Sequence, residues 1–273
     1  MKNKAFFIIG ISCVSALALV AIFAGVIAPF DPSAIVGEPF LKPNSVNLLG
    51  TNDIGQDIFS ELVVGARYSL AVGFIATLVS ASLAIVIGMI AGWFGGVIDS
   101  VLMKVSAFVM AVPYIPFILV ISTFLNGSIW ATSVVMGITS WPEMARVIRA
   151  QILKLKNNEY ITSIIAMGAG DRYILTKHIS RELMPLIAYR VASRFRSTIL
   201  AESALSFLGM APSVIKSWGK MLYYAQSRNA FLTGAWVWWA VPPGVMITLL
   251  ILGITMISYS IEDRMDPRLE KRA

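Results

Sequence analysis

The chain has 273 residues, 57% of them hydrophobic and 14% charged, against about 25% charged in soluble globular domains. An ordinary soluble domain is excluded, and so is a large extramembrane domain, because about six spans of about 20 apolar residues use up this length. The net charge of +7 belongs in such a chain to membrane topology, and no nucleic-acid partner is expected.

Residues 1–30 open with Lys2 and Lys4 and run apolar from Ala5 to Ala28. That is longer than the apolar stretch of about 7 to 15 residues in a signal peptide, so it is predicted to be a retained first helix. Cys13 inside it has no second thiol to pair with and reads as a small packing residue. Residues 31–67 form an external segment in which Pro32, Pro39 and Pro43 favour an extended or turning path, with short helices expected. Five further apolar runs, at 68–94, 101–125, 129–147, 183–208 and 235–261, complete an all-α polytopic membrane fold. Its permease core is 68–268, with a cytoplasmic loop at about 154–181 and a tail at 269–273.

Gly88, Gly92 and Gly96 follow a GxxxGxxxG spacing that lets helices approach closely. Pro113 and Pro116 in the third span, Pro142 in the fourth and Pro242-Pro243 in the sixth remove backbone donors and are expected to kink their helices. Carboxylates inside a membrane are expensive unless they face a polar cavity or a cation. Glu143 and Glu202 are therefore candidates for a translocation path, or for salt bridges with Arg146 or Arg196. Arg190, Arg194 and Arg196 crowd the first half of the fifth run, near its cytoplasmic end or toward the bundle interior. Residues 209–234 make a second external segment, also expected to hold short helices, and Trp236, Trp238 and Trp239 are expected in an outer interfacial belt. Only Lys42, Arg67, Lys216, Lys220 and Arg228 fall clearly on the outer side. Most other Lys and Arg lie with the termini and the loop after the fourth span, which puts both termini in the cytoplasm of a multi-pass plasma-membrane protein.

That loop is the most informative stretch. Asn157 or Asn158 is placed to cap a helix beginning at Glu159. Ile161, Ile164, Ile165 and Gly168 recur at helical spacing, Gly168 and Gly170 allow a break, and a second helix is expected over 171–178. From periodicity alone the first helix rests on the inner leaflet or caps the bundle. Arg149, Lys154, Lys156, Arg172 and Lys177 suit acidic protein rims and anionic lipid headgroups equally well. The single His178, the single Cys13 and the absence of HExxH leave no metal site or catalytic residue to expect. No GxxxxGK[ST] loop is present either, so ATP and Mg would have to be bound by other polypeptides.

The run from Glu159 through Tyr160, Ile161, Thr162, Ser163, Ile164, Ile165, Ala166, Met167, Gly168 and Ala169 to Gly170 resembles the EAA loop of ABC importer permeases, with Thr162, Ser163 and Ile164 at the triplet positions and Gly168 retained. The sequence from Leu49 to Asp57, then Ser60 and the run from Gly65 to Leu70, resembles the entry to the second helix in the dipeptide, oligopeptide and nickel branch. Further matches follow in the family's order at Gly95-Gly96 with Asp99, Trp141-Pro142 with Ala145-Arg146, Arg149-Ala150-Gln151, the run from Glu202 to Gly209, Ser217-Trp218-Gly219 and Asp266-Pro267-Arg268. Roughly residues 47–268 are covered. The triplet lacks its Glu and alanines, Ser180-Arg181 stands where Leu-Pro is usual, and Gln56 stands where Arg is common.

The resemblance implies a permease subunit of an ATP-driven importer for di- or oligopeptides or a related solute, with no catalysis of its own. It implies a pore shared with a second homologous permease, two ABC ATPase subunits that carry ATP and Mg, an extracytoplasmic solute-binding protein, and membrane lipid around the bundle. It also implies that Glu159 to Ala166, together with Gly168, Ala169, Gly170 and Asp171, couple to the ATPases. The alternative is a secondary transporter in which Glu143 or Glu202 carries protons, but the internal repeat that often marks that class is not visible.

Overall fold

The structure, a computed structural model, describes residues 2–125, 128–209 and 215–263. Among these residues the chain is helical apart from turns and two isolated bridges, Ile35 with Gln56 and Thr51 with Asp57. The first apolar run forms α1 (Lys2–Ile22) and a short α2 (Ala24–Ile27). Residues 28–57 then carry no helix, against expectation. Besides the prolines, asparagine side chains bend this backbone: Asn44 Oδ1 accepts from the N–H of Val46 and of Asn47, and Asn52 Oδ1 from those of Ile54 and Gln56. Such local bonds compete with helix formation.

Asp57 ends this segment by capping α3 (Ile58–Phe94), its carboxylate accepting from Ser60 N–H at 2.8 Å. The helix begins ten residues before the expected span and, at 37 residues, is about 55 Å long, well beyond the roughly 30 Å of hydrocarbon. Gly95 breaks it and α4 (Gly96–Ala111) follows. α5 (Tyr114–Phe124) then meets α4 at 82° across Val112 and Pro113. The third span is thus a broken one, bent at the first of its two prolines.

α6 (Ile129–Lys156) carries Pro142 internally. It is followed by α7 (Glu159–Ala166) and α8 (Asp171–Ile174), then a π-helical turn (Leu175–Ile179) that runs without interruption into α9 (Ser180–Phe207). The fifth span is therefore the end of one helical rod that already begins in the loop. The second external segment does hold short helices, α10 (Trp218–Ser227) and α11 (Ala230–Thr233). After them come α12 (Trp236–Trp239) and α13 (Val241–Asp263). Pro242 and Pro243 occupy the first turn of α13, where the missing N–H costs little, so they start a helix rather than kink one. The matched Asp266-Pro267-Arg268 and the tail 269–273 lie outside the described residues.

Lys4–Ile22, Ile58–Phe94 and Trp236–Glu262 are long and apolar enough to cross a membrane, and α4 with α5 reaches that length and apolarity only as a pair, bent by 82°. α6 and α9 have 28 residues each, about 42 Å, and their charged residues are what set them apart. α3 runs through the centre, packed along α6 and also against α9, α1 and α4, while α13 joins α1 to α9. An added Cβ at Gly88 would stand 2.7 Å from Ala145 O, and one at Gly92 2.9 Å from Ile152 Cβ, so these two glycines are the close contact with α6. Gly96 is not part of it: it starts α4 and faces open space. Cys13 sits partly buried between α1 and α13, its thiol donating to Leu249 O at 3.4 Å. Trp239 is a core residue, 1% exposed and edge-on to Phe40, which corrects its expected place in an aromatic belt. Trp236 is exposed and stacks on Phe231.

Candidate functional site

α7 is built by its ends. Asn158 is the N-cap, its side chain accepting from Tyr160 N–H at 3.3 Å, and Glu159 lies in the first turn beside the positive end of the helix dipole. At the other end Gly168 N–H donates to Ile165 O (2.9 Å) and Ala169 N–H to Ile164 O (3.3 Å), the paired bonds of a Schellman closure. That closure needs a left-handed residue, and Gly168 has φ +83° with open space around it. Beyond it, Gly170 precedes Asp171, which starts the second helix as expected.

The apolar side chains of α7 do not share one face. Ile161 and Ile164 are 1% and 8% exposed and pack with Trp93, Ile148, Ile152 and Leu183, whereas Ile165 is 42% and Met167 77% exposed. Ile161 and Ile164 therefore fasten the loop to its own bundle. The outward surface is Tyr160, Thr162, Ser163, Ile165, Ala166 and Met167, continued by Tyr173. Tyr160 is hydrogen-bonded to His178 Nδ1, and the rings of Tyr160 and Tyr173 meet the imidazole edge-on at 5.5 and 5.4 Å. The two helices of the loop are thereby tied together on the exposed side.

Two of the basic residues expected to meet a partner or lipid are used internally. Arg149 binds both oxygens of Asp99 in the first turn of α4. Lys156 donates to Trp93 O at 2.7 Å and lies over the Trp93 ring, at the end of α3. Lys154, Arg172 and Lys177 remain exposed.

Of the two acids, Glu143 pairs with neither expected arginine. Arg194 Nη2 lies 3.2 Å from its Oε2 and Arg190 Nη1 3.7 Å from its Oε1, while Arg146 donates to Ser106 and Arg196 to Thr255. Glu143 and Arg194 line both a cavity of about 180 Å³ shared with Arg190 and Arg196 and an adjoining one of about 380 Å³ walled by Phe108, Val112, Tyr114 and Phe117. Glu202 is enclosed instead, 4% exposed, and accepts from Ser206 Oγ at 2.7 Å. The i, i+4 spacing of Arg190 and Arg194, which puts both on one face of a helix, was the signal for this pairing.

A buried ion pair in the external segments was not anticipated at all. Lys216 Nζ contacts Glu61 in the first turn of α3, and Glu61 also accepts from Asn52 Nδ2 at 2.7 Å. Lys216 further donates to Gln56 Oε1 and, at 3.2 Å, to Pro32 O. The two external segments are thus pinned to each other through one lysine.

Comparison with known proteins agrees with this architecture. Residues 84–271 match the family described as binding-protein-dependent transport system inner membrane component. The chain is 31% identical to a putative peptide permease protein of Brucella suis, over 84% of this chain and 80% of the relative. It is 32% identical to a dipeptide transport system permease protein of Haemophilus influenzae, over 97% and 91%, and 30% identical to an oligopeptide transport system permease protein of Bacillus subtilis, over 96% and 86%.

Proposed function

The chain belongs to the family of inner membrane components of binding-protein-dependent transport systems, and from that membership we propose that it carries di- or oligopeptides inward with α7 as the part a motor subunit pushes. It is a permease subunit of an ATP-driven ABC importer, not a secondary transporter. In this reading it forms half of a translocation path whose other half is a second homologous permease. Two ATPase subunits bind ATP and Mg and hydrolyse the nucleotide, and an extracytoplasmic binding protein delivers the solute. Both termini lie in the cytoplasm, which the placement of Lys and Arg supports.

The observation that carries the coupling reading is the division of α7. Ile161 and Ile164 anchor it in the bundle while Tyr160, Ile165 and Met167 stand outside. A short helix rooted in this way transmits a push on its outer face to α3, α6 and α9 as a rigid body rather than folding away. The side chains from Glu159 to Ala166 with Gly168, Ala169, Gly170 and Asp171 therefore make up the coupling element, and those that point outward meet the ATPase. Glu143 lies on the path, whereas Glu202 is enclosed and bonded to Ser206 of its own helix.

The test is Gly168→Val. A β-branched residue is strained at φ +83°, so the Schellman closure opens while the bundle, which Gly168 does not touch, stays intact. With permease, ATPases and binding protein reconstituted in vesicles, wild type takes up a labelled dipeptide only with ATP. The variant is expected to fold and insert but to lose uptake or ATPase co-purification. Unchanged transport would remove α7 from the coupling role, and ATP-independent uptake by the wild-type permease alone would remove the motor from the reading.

A further inference from the structure

We infer that Arg190 and Arg194, facing Glu143 between α9 and α6, form a subsite of the translocation path that binds the C-terminal carboxylate of the passing peptide. The inference rests on the peptide reading above and gives that path a point of chemical recognition.

The charges do not balance where they are. Arg190, Arg194 and Arg196 line one cavity against a single carboxylate. Arg194 and Arg190 share that carboxylate, yet the Arg194 side chain is only 18% exposed whereas Glu143 is 63% exposed. Arg190 Nε is buried and donates to nothing among the described residues. The cluster is also central: Glu143 is 14 residues from the start of a 28-residue α6, and Arg190 and Arg194 are 10 and 14 from the start of a 28-residue α9. Along the helix axes these groups stand about 15–20 Å from the starts of α6 and α9 at 1.5 Å per residue. A charge at that depth persists where it lines a polar pathway.

What the cluster lacks is an anion with two acceptor oxygens. A guanidinium presents a planar fork of N–H donors that matches a carboxylate bidentately, and Arg190, with Nη1 3.7 Å from Glu143 Oε1, is only loosely engaged where it stands. The adjoining larger cavity is apolar, built at the elbow of α4 and α5 by Phe108, Val112, Tyr114 and Phe117, and it shares Glu143 and Arg194 with the charged one. A carboxylate on the arginines with the terminal side chain against those aromatic rings fits a peptide of variable sequence. Every peptide has the first feature, and the second is a greasy wall without directional demands. As the terminal carboxylate arrives, it displaces the exposed Glu143 from the arginines, which keeps binding weak enough for release.

The experiment uses the assembled permease and ATPase complex and phenylglyoxal, which modifies accessible arginines. Modification of Arg190 and Arg194 is read by mass spectrometry with dialanine, with dialanine amide, and with neither. Dialanine is expected to slow modification of these two arginines, and the amide is not. In uptake, Arg194→Gln is expected to raise KM for dialanine by about tenfold or more, the effect of one lost hydrogen bond to a charged group. Equal protection by peptide and amide, or no protection by either, would overturn the subsite. So would arginines already inert without peptide, which would mean that an acid of the second permease fills the place. If the wild-type transporter takes up no dipeptide at all, the peptide reading itself fails. Uptake without protection sinks the subsite alone.

Discussion

Arg149 clasps Asp99 with two donors, Nε to Oδ1 and Nη2 to Oδ2, and so ties the C-terminal part of α6 to the first turn of α4. α3 has just ended at Gly95, so nothing in the backbone fixes the direction in which α4 leaves. The ion pair supplies that restraint, with Lys156 on Trp93 O as a second tie. Asp99→Asn is expected to lower stability by about 1–2 kcal/mol, since the pair is charge-assisted and bidentate but its guanidinium is partly solvated. Thermal unfolding in detergent measures this. Arg149→Lys should recover little, because an ammonium cannot offer the fork.

Gly92 tests the contact between α3 and α6. Its missing Cβ would stand 2.9 Å from Ile152 Cβ and 3.1 Å from Arg149 O, and neither a β-carbon nor a backbone carbonyl can move aside cheaply. Gly92→Leu is expected to cost about 3 kcal/mol, at the upper end for overpacked cores, and to show as lost membrane yield and early thermal unfolding. Wild-type yield would mean that this face of α3 opens to lipid.

How much of this was legible in the sequence depended on whether the information was local. The apolar runs of α1 and α13, a cap at Asn157 or Asn158 and the break at Gly168 are set by neighbours along the chain, and they fall where periodicity and capping rules put them, whereas α3 starts ten residues before its apolar run. The pairing of Glu143 with Arg190 and Arg194 was not, because it depends on how α6 and α9 rotate about their axes, and a sequence with arginines at 146, 190, 194 and 196 leaves several pairings open. The same holds for Glu61 and Lys216, which are 155 residues apart. The helical period also grouped Ile165 with Ile161 and Ile164. On an eight-residue helix one residue, about 100° of rotation, separates anchor from outward surface, and only the packing of Trp93 and Ile152 shows which side is in.

That separation gives paired variants on α7. Ile164→Asp buries a carboxylate among Trp93, Ile148 and Leu183 without a partner cation, so it is expected to cost about 3 kcal/mol or more and to lower yield. Ile165→Asp, one residue on and 42% exposed, should leave thermal unfolding within about 0.5 kcal/mol of wild type, as exposed substitutions do, yet weaken ATPase co-purification. If both variants behave alike in unfolding, the rotation of α7 described above is wrong. If Ile165→Asp retains its ATPases fully, the motor grips another surface.

Lys216 holds the two external segments together through Glu61, Gln56 and Pro32 O, and the carboxylate it meets is only 1% exposed. Glu61→Gln is expected to destabilise by about 2–3 kcal/mol, less than the 3–5 typical of a fully buried pair, because Lys216 keeps its two other acceptors and some solvent. Replacing both residues with methionine should regain much of that loss, since a buried ion pair contributes little beyond a well-packed apolar pair. A double-mutant cycle on thermal unfolding gives the coupling directly. Hydrogen exchange gives its reach: the amides of Asn52 and Gln56, protected by bonds within this network, should exchange faster in Glu61→Gln, while those in the middle of α3 do not change. Uniform loosening of the whole chain would instead make the pair part of the global core rather than a clasp between two loops.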